Sequence, residues 1–432
     1  LDGFSQIATE PTPMAATSPA TRDRYHSLDA LRAVALLLGI TLHAGLAYIP
    51  GGGFGWAVQD RSTHSLFGVS VLIIHSFRLE IFFLIAGFFA RLLVVRRGIA
   101  GFTLNRLTRV LVPFVAGWFL VFPGLAFAWI WGGMNGAPAA APAALKQVPG
   151  AVLMALRGFV HHPFGYFPLT HLWFLYCLLL VYALFLTGRR LFIGALGRRG
   201  AWLSGVDRLF KRLIETRWTL LFLTALTWPI LLRMRAWSVD TPDRNFRPSL
   251  PVLLLYGLAF CVGWLLHRQT GLLEILRRRW RLHLICAVLL ILPVVLLSGC
   301  QGQPLPHLRE IRWLFFLAYA LLMWSWAMAL LGLFLRFLSR ESQFWRYLSD
   351  SSYCLYIIHL PIVVILQVAV SPLAVSCWIK FAMVCAVTAA VSLTAYHYLV
   401  RSTPIGLLLN GRRHPFRWLP FRGQPIILSN TR

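Results

Sequence analysis

The sequence predicts an all-α polytopic membrane protein, a bundle of about ten transmembrane helices with both termini in the cytoplasm. Three observations predict it. Of 432 residues, 58% are hydrophobic and only 13% are charged, whereas a soluble chain carries about a quarter charged residues. Apolar runs of roughly 20 residues, the length that crosses a bilayer, recur along the chain. The basic residues give a net charge of +27, yet they sit in short clusters between apolar runs. That is the pattern of cytoplasmic loops facing anionic lipid. It favours membrane lipid as the charged partner and argues against nucleic acid.

The apolar runs lie near 30–49, 67–93, 110–131, 171–188, 218–236, 250–267, 282–298, 312–336, 352–371 and 376–399. Orientation follows from Lys and Arg between them. One alternating set of segments carries 29 of these residues, from Arg22 to Arg432, and the other set carries 9. The rich set faces the cytosol, and an even number of spans returns the C-terminus to the side of the N-terminus. Residues 1–27 have no signal-type apolar core and read as a disordered cytosolic tail. Residues 28–400 form the transmembrane domain, and 401–432 form a basic cytosolic tail. The longest external loop runs from Gly132 to Thr170. It holds a Pro/Ala linker and a short apolar piece, "AVLMALRGFV", too short to span and suited to the interface. The seven cysteines form no CxxC pair, so neither a disulfide framework nor a thiolate metal site is expected.

Ionisable side chains inside spans mark function by default. Span one, "RYHSLDALRAVALLLGITLHAGLAYIP", carries Arg32 near its cytosolic start and His43 eleven residues on, about 16 Å deeper at the helical rise. Arg32 can snorkel to the headgroups, but His43 falls near mid-membrane. Span two carries His75, Arg78 and Glu80. His75 and Arg78 are three apart and share a face, whereas Arg78 and Glu80 are two apart and do not. Each therefore needs a partner from another helix. Span nine adds His359 in "SSYCLYIIHLP", and span four opens with His171 and Trp173 in "THLWFLY", near the external face. Four helices thus bring histidines toward a common interior, with no metal-ligand spacing among them. Arg106 and Arg109 in "NRLTRVLVP" lie at the cytosolic start of span three. Their guanidinium forks suit phosphates, and an ordinary positive-inside loop places arginines there as well.

These residues resemble a family. The spacing from Arg32 to His43 resembles the signature of the membrane-bound acyltransferase-3 family, and Arg106-Leu-Thr-Arg109 resembles its cytosolic Arg-x-x-Arg element. "HSFRLEIFFLIAGFF", "THLWFLY" and "SYCLYIIHLP" follow in the order of one branch, the glucan biosynthesis protein C group, and the likeness covers essentially residues 24–400. The resemblance implies a multi-pass enzyme of the cell inner membrane. It would transfer an acyl group, succinyl in this branch, from cytosolic acyl-CoA to sugar hydroxyls of osmoregulated periplasmic glucan. The donor is then succinyl-CoA or acetyl-CoA, used as a substrate, with no permanently bound cofactor. Family function falls first on His43, Arg32, Arg106 and Arg109. The catalytic set is His43, Arg78, Glu80 and His359. The substrate-binding set is Arg32, Arg106, Arg109, His75, His171 and Trp173. Two alternatives remain beside it: an O-acetyltransferase acting on another envelope polysaccharide, and a polytopic transporter or flippase whose buried charges relay protons.

Overall fold

The computed structural model describes residues 25–416 and 418, apart from 52–54, 163 and 197–199. The first 24 residues of the predicted tail 1–27, and residues 417 and 419–432 of the tail 401–432, lie outside the described residues. In chain order the helices are α1 (His26–Gly45), α2 (Ser65–Arg106), α3 (Val112–Gly133), α4 (Ala141–His161) and α5 (Trp173–Leu196). There follow α6 (Gly200–Glu215), α7 (Thr219–Leu231), α8 (Leu250–Arg268) and α9 (Leu272–Ser298). The last four are α10 (Leu308–Phe337), α11 (Gln343–Val370), α12 (Cys377–Ala395) and α13 (Pro404–Asn410). No strand occurs among the described residues. There, nine helical stretches are long and apolar enough to cross a membrane. One of them, Ser65–Gly133, holds two passes. The chain is an all-α polytopic membrane protein.

The two passes are separated by a single residue. Gly98 has φ 68, a left-handed conformation that other residues adopt only with strain. It follows Arg96 and Arg97, so α2 reverses at a basic end of the bundle without a loop. A wider helical turn, Leu107–Leu111, then carries the returning chain into α3. Close approach elsewhere also uses glycine. A β-carbon on Gly87 would meet the Phe260 carbonyl, and one on Gly263 would meet the Leu84 carbonyl. Bare backbone at both positions lets α2 and α8 touch, the small-residue device of membrane helix pairs.

Two predicted elements differ. The run 218–236 forms only the 13-residue α7, about 20 Å long at the helical rise and short of the ~30 Å hydrocarbon core. From Leu232 the chain leaves the helix and runs along α10 to α3 and α5, with Trp237 on Phe315 and Phe246 on Phe114 and Tyr176. Arg235 and Ala236 donate their backbone N–H groups to the Asp240 carboxylate at 3.0 and 3.2 Å, which holds that bend. Conversely, the piece expected to be a short interfacial segment belongs to the 21-residue α4. That helix runs back along α3. Ala144 packs with Trp131 at one end, while Phe159 at the other meets Phe167, which stacks on Trp118. The apolar pattern of α4 begins upstream of its Leu and Val run because Ala, the best helix former, fills the preceding turns. α5 then starts beside Gly117, where Leu172 touches α3. α4 and α5 therefore descend in the same sense and together make one pass.

Packing is organised around α1, α2, α10 and α11. α10 is the most buried helix, with Phe315, Phe316, Tyr319, Leu322, Met323 and Trp324 fully enclosed. α9 is mostly exposed along its length, as a lipid-facing helix must be. α6 lies across the basic end. Arg279 donates to the Ile214, Glu215 and Thr216 carbonyls, satisfying the last acceptors of α6, and Arg268 pairs with Asp207. The described part of the C-terminal tail is also tied down, because Arg412 donates to Asp350 of α11 at 2.6 Å.

The sequence reading passed over Lys380 in α12. Its ammonium donates to both Asp60 oxygens at 2.9 and 2.7 Å and to the Ser371 carbonyl at 3.1 Å. Both side chains are 2% exposed. The pair fixes the segment between α1 and α2 against α11 and α12. Removing one partner of such a pair strands a buried charge, at about 3–5 kcal/mol. Lys380→Met is therefore expected to lower the thermal unfolding temperature of the purified protein in detergent, and adding Asp60→Asn to restore most of it. Equal damage in the single and double variants would assign the loss to shape rather than charge.

Candidate active site

A cavity of about 2110 Å³ runs through the bundle. One mouth is lined by Arg32, Arg96, Arg97, Arg106 and Arg109; Trp56 and Trp129 line the cavity toward the far end of α3, and residues of the segment 233–251 border it as well. Between them lie His43, His75, Arg78, His171, Trp173 and His359. Nine of the ten residues proposed from sequence, together with Arg96, Arg97, Trp56 and Trp129, thus line one space. Glu80 does not line it.

The histidines converge from four elements. The rings of His43 and His359 are 5.5 Å apart, and those of His359 and His171 are 5.1 Å apart. His171 was expected near one face of the membrane. It sits instead beside the middle of α11, because residues 164–172 turn inward and its Nε2 meets the Tyr356 and Ile357 carbonyls at 2.9 and 3.1 Å. Carbonyls only accept, so this nitrogen carries the proton. The same argument fixes His359, whose Nδ1 lies 2.8 Å from the Tyr356 carbonyl and 3.1 Å from that of Leu355. His359 Nε2, His171 Nδ1 and His43 Nδ1 are buried without a hydrogen-bond partner. In the neutral rings of His359 and His171 those free nitrogens hold the lone pair, so each can accept a proton.

His43 is held at the last turn of α1. Trp56 stacks on its ring at 5.9 Å with an interplanar angle of 5°. Gln367 of α11 fastens both parts. Its amide donates to the His43 and Ala44 carbonyls at 3.0 and 2.9 Å, and its oxygen accepts from the Trp56 indole at 2.8 Å. Every hydrogen-bonding direction of that amide except one lone pair is used. Sequence reasoning missed Gln367 and Trp56. Gln367 was visible as an amide inside an apolar run, the same signal that singled out the histidines.

Arg78 reaches Gly39, where a β-carbon would displace its guanidinium, and its Nε has no hydrogen-bond partner. Glu80 points to another side of α2. It is 1% exposed, has neither oxygen hydrogen-bonded, and lies near the phenols of Tyr256 and Tyr319. The two residues are two apart on a helix, a separation of about 200°, so one faces the cavity and the other α8 and α10.

At the basic mouth, Arg32 donates to the Ser349 carbonyl at 3.0 Å and hydroxyl at 2.8 Å, which locks α1 to α11. Arg106 donates to Asn105 at 2.6 Å and lies over the rings of Phe102 and Tyr182 at 5.4 and 5.6 Å. The Arg109 carbonyl accepts from Tyr353 at 2.8 Å, so the turn that presents both arginines is anchored to α11. The guanidiniums of Arg96, Arg97, Arg106 and Arg109 pair with no carboxylate among the described residues.

Fold and site together define a multi-pass membrane protein whose buried imidazoles are reached from an arginine-lined mouth and from the opposite end. The chain belongs to the acyltransferase-3 family, whose acyltransferase domain matches residues 25–397. It is similar to the glucans biosynthesis protein C of Escherichia coli strain K12 and to that of strain O1:K1 / APEC, each 32% identical over 96 residues. That segment is 22% of this chain and covers 24% of the length of those relatives. No solved structure matches.

Proposed function

We propose that the protein transfers a succinyl group from cytosolic acyl-CoA to a hydroxyl of a periplasmic glucan. The observation that carries this reading is the cavity itself, which joins a mouth where Arg96, Arg97, Arg106 and Arg109 pair with no carboxylate among the described residues to the histidine cluster and on toward Trp56. Coenzyme A is polyanionic, and arginine forks match its phosphates. With the rich basic segments in the cytosol, Arg106, Arg109 and Arg32 hold the donor there, and its acyl arm extends inward. The saccharide comes from the Trp56 end, set in the periplasm, and places a hydroxyl beside His43.

The chemistry then balances within this chain's residues. His43 takes the hydroxyl proton as the oxygen attacks the thioester carbonyl. Arg78 faces the negative charge that develops on the carbonyl oxygen, or the distal carboxylate of a succinyl group. The tetrahedral centre collapses, the C–S bond breaks, and CoA leaves with the proton as free thiol. His359 and His171 border the same space with free nitrogens, so they can share that proton. Gln367 and Trp56 act through His43 by fixing its ring.

The direct test incubates purified protein with succinyl-CoA and a glucan oligosaccharide. Free CoA thiol should appear only when acceptor is present, and the product should gain a carboxylate by mass spectrometry. Equal use of acetyl-CoA would favour an O-acetyltransferase, and no thiol release would favour transport.

His43→Ala is expected to lower turnover by about 10²–10⁴-fold, the usual cost of losing a general acid–base group, while the protein remains folded by size-exclusion chromatography. Near-normal turnover would remove His43 from the reaction. Arg106→Ala and Arg109→Ala should raise KM for acyl-CoA more than KM for the acceptor, with the difference shrinking at high salt. An unchanged donor KM would leave them as ordinary topology signals. Arg78→Lys separates the two roles of Arg78. A role on the succinyl carboxylate predicts a larger loss with succinyl-CoA than with acetyl-CoA. A role on the carbonyl oxygen predicts equal losses, because both donors pass through the same tetrahedral centre.

A further inference from the structure

The described C-terminal segment reaches back to the arginine mouth. It lies beyond residues 25–397, which match the acyltransferase domain. α13 packs on the Leu107–Leu111 turn that carries Arg109, and on α11. Leu409 joins the apolar clusters that α11 shares with α3 and with α1. Asn410 donates to the Tyr396 hydroxyl at 3.3 Å. Leu409 and Asn410 line the same cavity as Arg106 and Arg109. A charged clamp follows. Arg412 donates to Asp350 at 2.6 Å, and His414 lies 3.5 Å from the same carboxylate. Asp350 is buried and itself borders the cavity. The His414 N–H donates to the Arg401 carbonyl at 3.2 Å, and Arg413 holds the Ser402 carbonyl. A solvated tail has no such ties; this one is fastened beside the mouth.

Gly411 stands between α13 and the clamp. Its φ of 71 is left-handed, and its N–H donates to the Leu407 carbonyl at 2.8 Å, so it closes α13 as a C-terminal glycine does. Bare backbone is needed there for a second reason. A β-carbon on Gly411 would take the space of the Arg109 guanidinium. That guanidinium therefore rests directly on the Gly411 backbone. Arg109 is half-buried and pairs with no carboxylate among the described residues, so this wall is what sets its direction. An arginine already set in place loses less freedom when an anion arrives.

We propose that Gly411 is a positioning residue of the donor site. The C-terminal segment, held by Arg412 on Asp350, forms one wall of the arginine mouth and aims Arg109 at the phosphates of acyl-CoA. The inference rests on the donor reading above and adds the part of the chain that builds its rim. Gly411 touches no reacting atom and acts through Arg109.

The test is equilibrium binding of coenzyme A itself to the full-length protein in detergent, followed by calorimetry, so it does not depend on transfer. Gly411→Ala should weaken binding about three- to fivefold, the upper scale of one partly exposed charge contact. Alanine is also strained at a left-handed φ, and Gly302→Ala controls for that. Gly302 has φ 76, and nothing lies within 4 Å of a β-carbon added there, so this variant should bind coenzyme A normally. In an Arg109→Ala protein, Gly411→Ala should add no further loss, because the two changes remove one contact. A loosened fold would instead weaken both backgrounds alike. Asp350→Asn supplies a test of opposite sign. Deleting a carboxylate near a polyanion by itself tightens binding, whereas losing the anchor of the segment weakens it, and weaker binding is expected. Unchanged affinity in Gly411→Ala, an equal loss in Gly302→Ala, equal losses with and without Arg109, or unchanged or tighter binding in Asp350→Asn would each overturn the inference alone. No binding of coenzyme A by the unaltered protein would remove the donor reading, and this inference with it.

Discussion

Gln367 joins three parts of the chain that have no other reason to meet at one point: the end of α1, the segment that carries Trp56, and the last turn of α11. A helix end inside a membrane exposes carbonyls that lipid cannot satisfy. One amide answers two of them and takes the indole N–H in return. α1 can therefore stop at Gly45, within the bundle, and place His43 at its last turn beside open space. Arg32 on Ser349 secures the same two helices near the other end. With α1 clamped to α11 at both points, the cavity between them keeps its shape around its buried histidines.

That arrangement explains why the histidine cluster borders open space rather than a packed core. His171 and His359 each spend one nitrogen on the backbone of α11 and present the other. The bonds fix both the tautomer and the ring direction. His43 is fixed differently, by a flat indole on one face, which restrains the ring without engaging its nitrogens. Three imidazoles are thus oriented by groups that compete little for the proton they carry.

Much of this was legible in the sequence, because lipid makes polar residues conspicuous. Most passes followed from apolar length, with α4 and α7 as the exceptions. The common face of His75 and Arg78 followed from their spacing of three, and the opposed direction of Glu80 from its spacing of two. What stayed hidden depended on tertiary contact. Nothing local says that α7 stops after 13 residues, since its apolar run continues while the backbone turns to satisfy Asp240. α4 was read as short because its first turns are Ala and Pro rather than Leu, although α3 offers them a groove. His171 looked peripheral in a segment that folds inward only when α11 is there to receive its ring. Lys380 was in plain view, and its partner Asp60 lies 320 residues away, beyond the reach of any spacing rule.

The separation of 317 residues between Arg32 and Ser349, and of 324 between His43 and Gln367, bears on how the protein is made. Chains emerge from the N-terminus first and fold as they are produced. α1 therefore enters the bilayer long before α11 exists, with its lower arginine, its histidine and its unanswered terminal carbonyls. Until α11 arrives, that helix must sit shallow or borrow partners from α2. The cavity cannot form around it. Assembly of the site is consequently among the last events of biogenesis, and a chain released early would populate the membrane as an inserted but vacant scaffold.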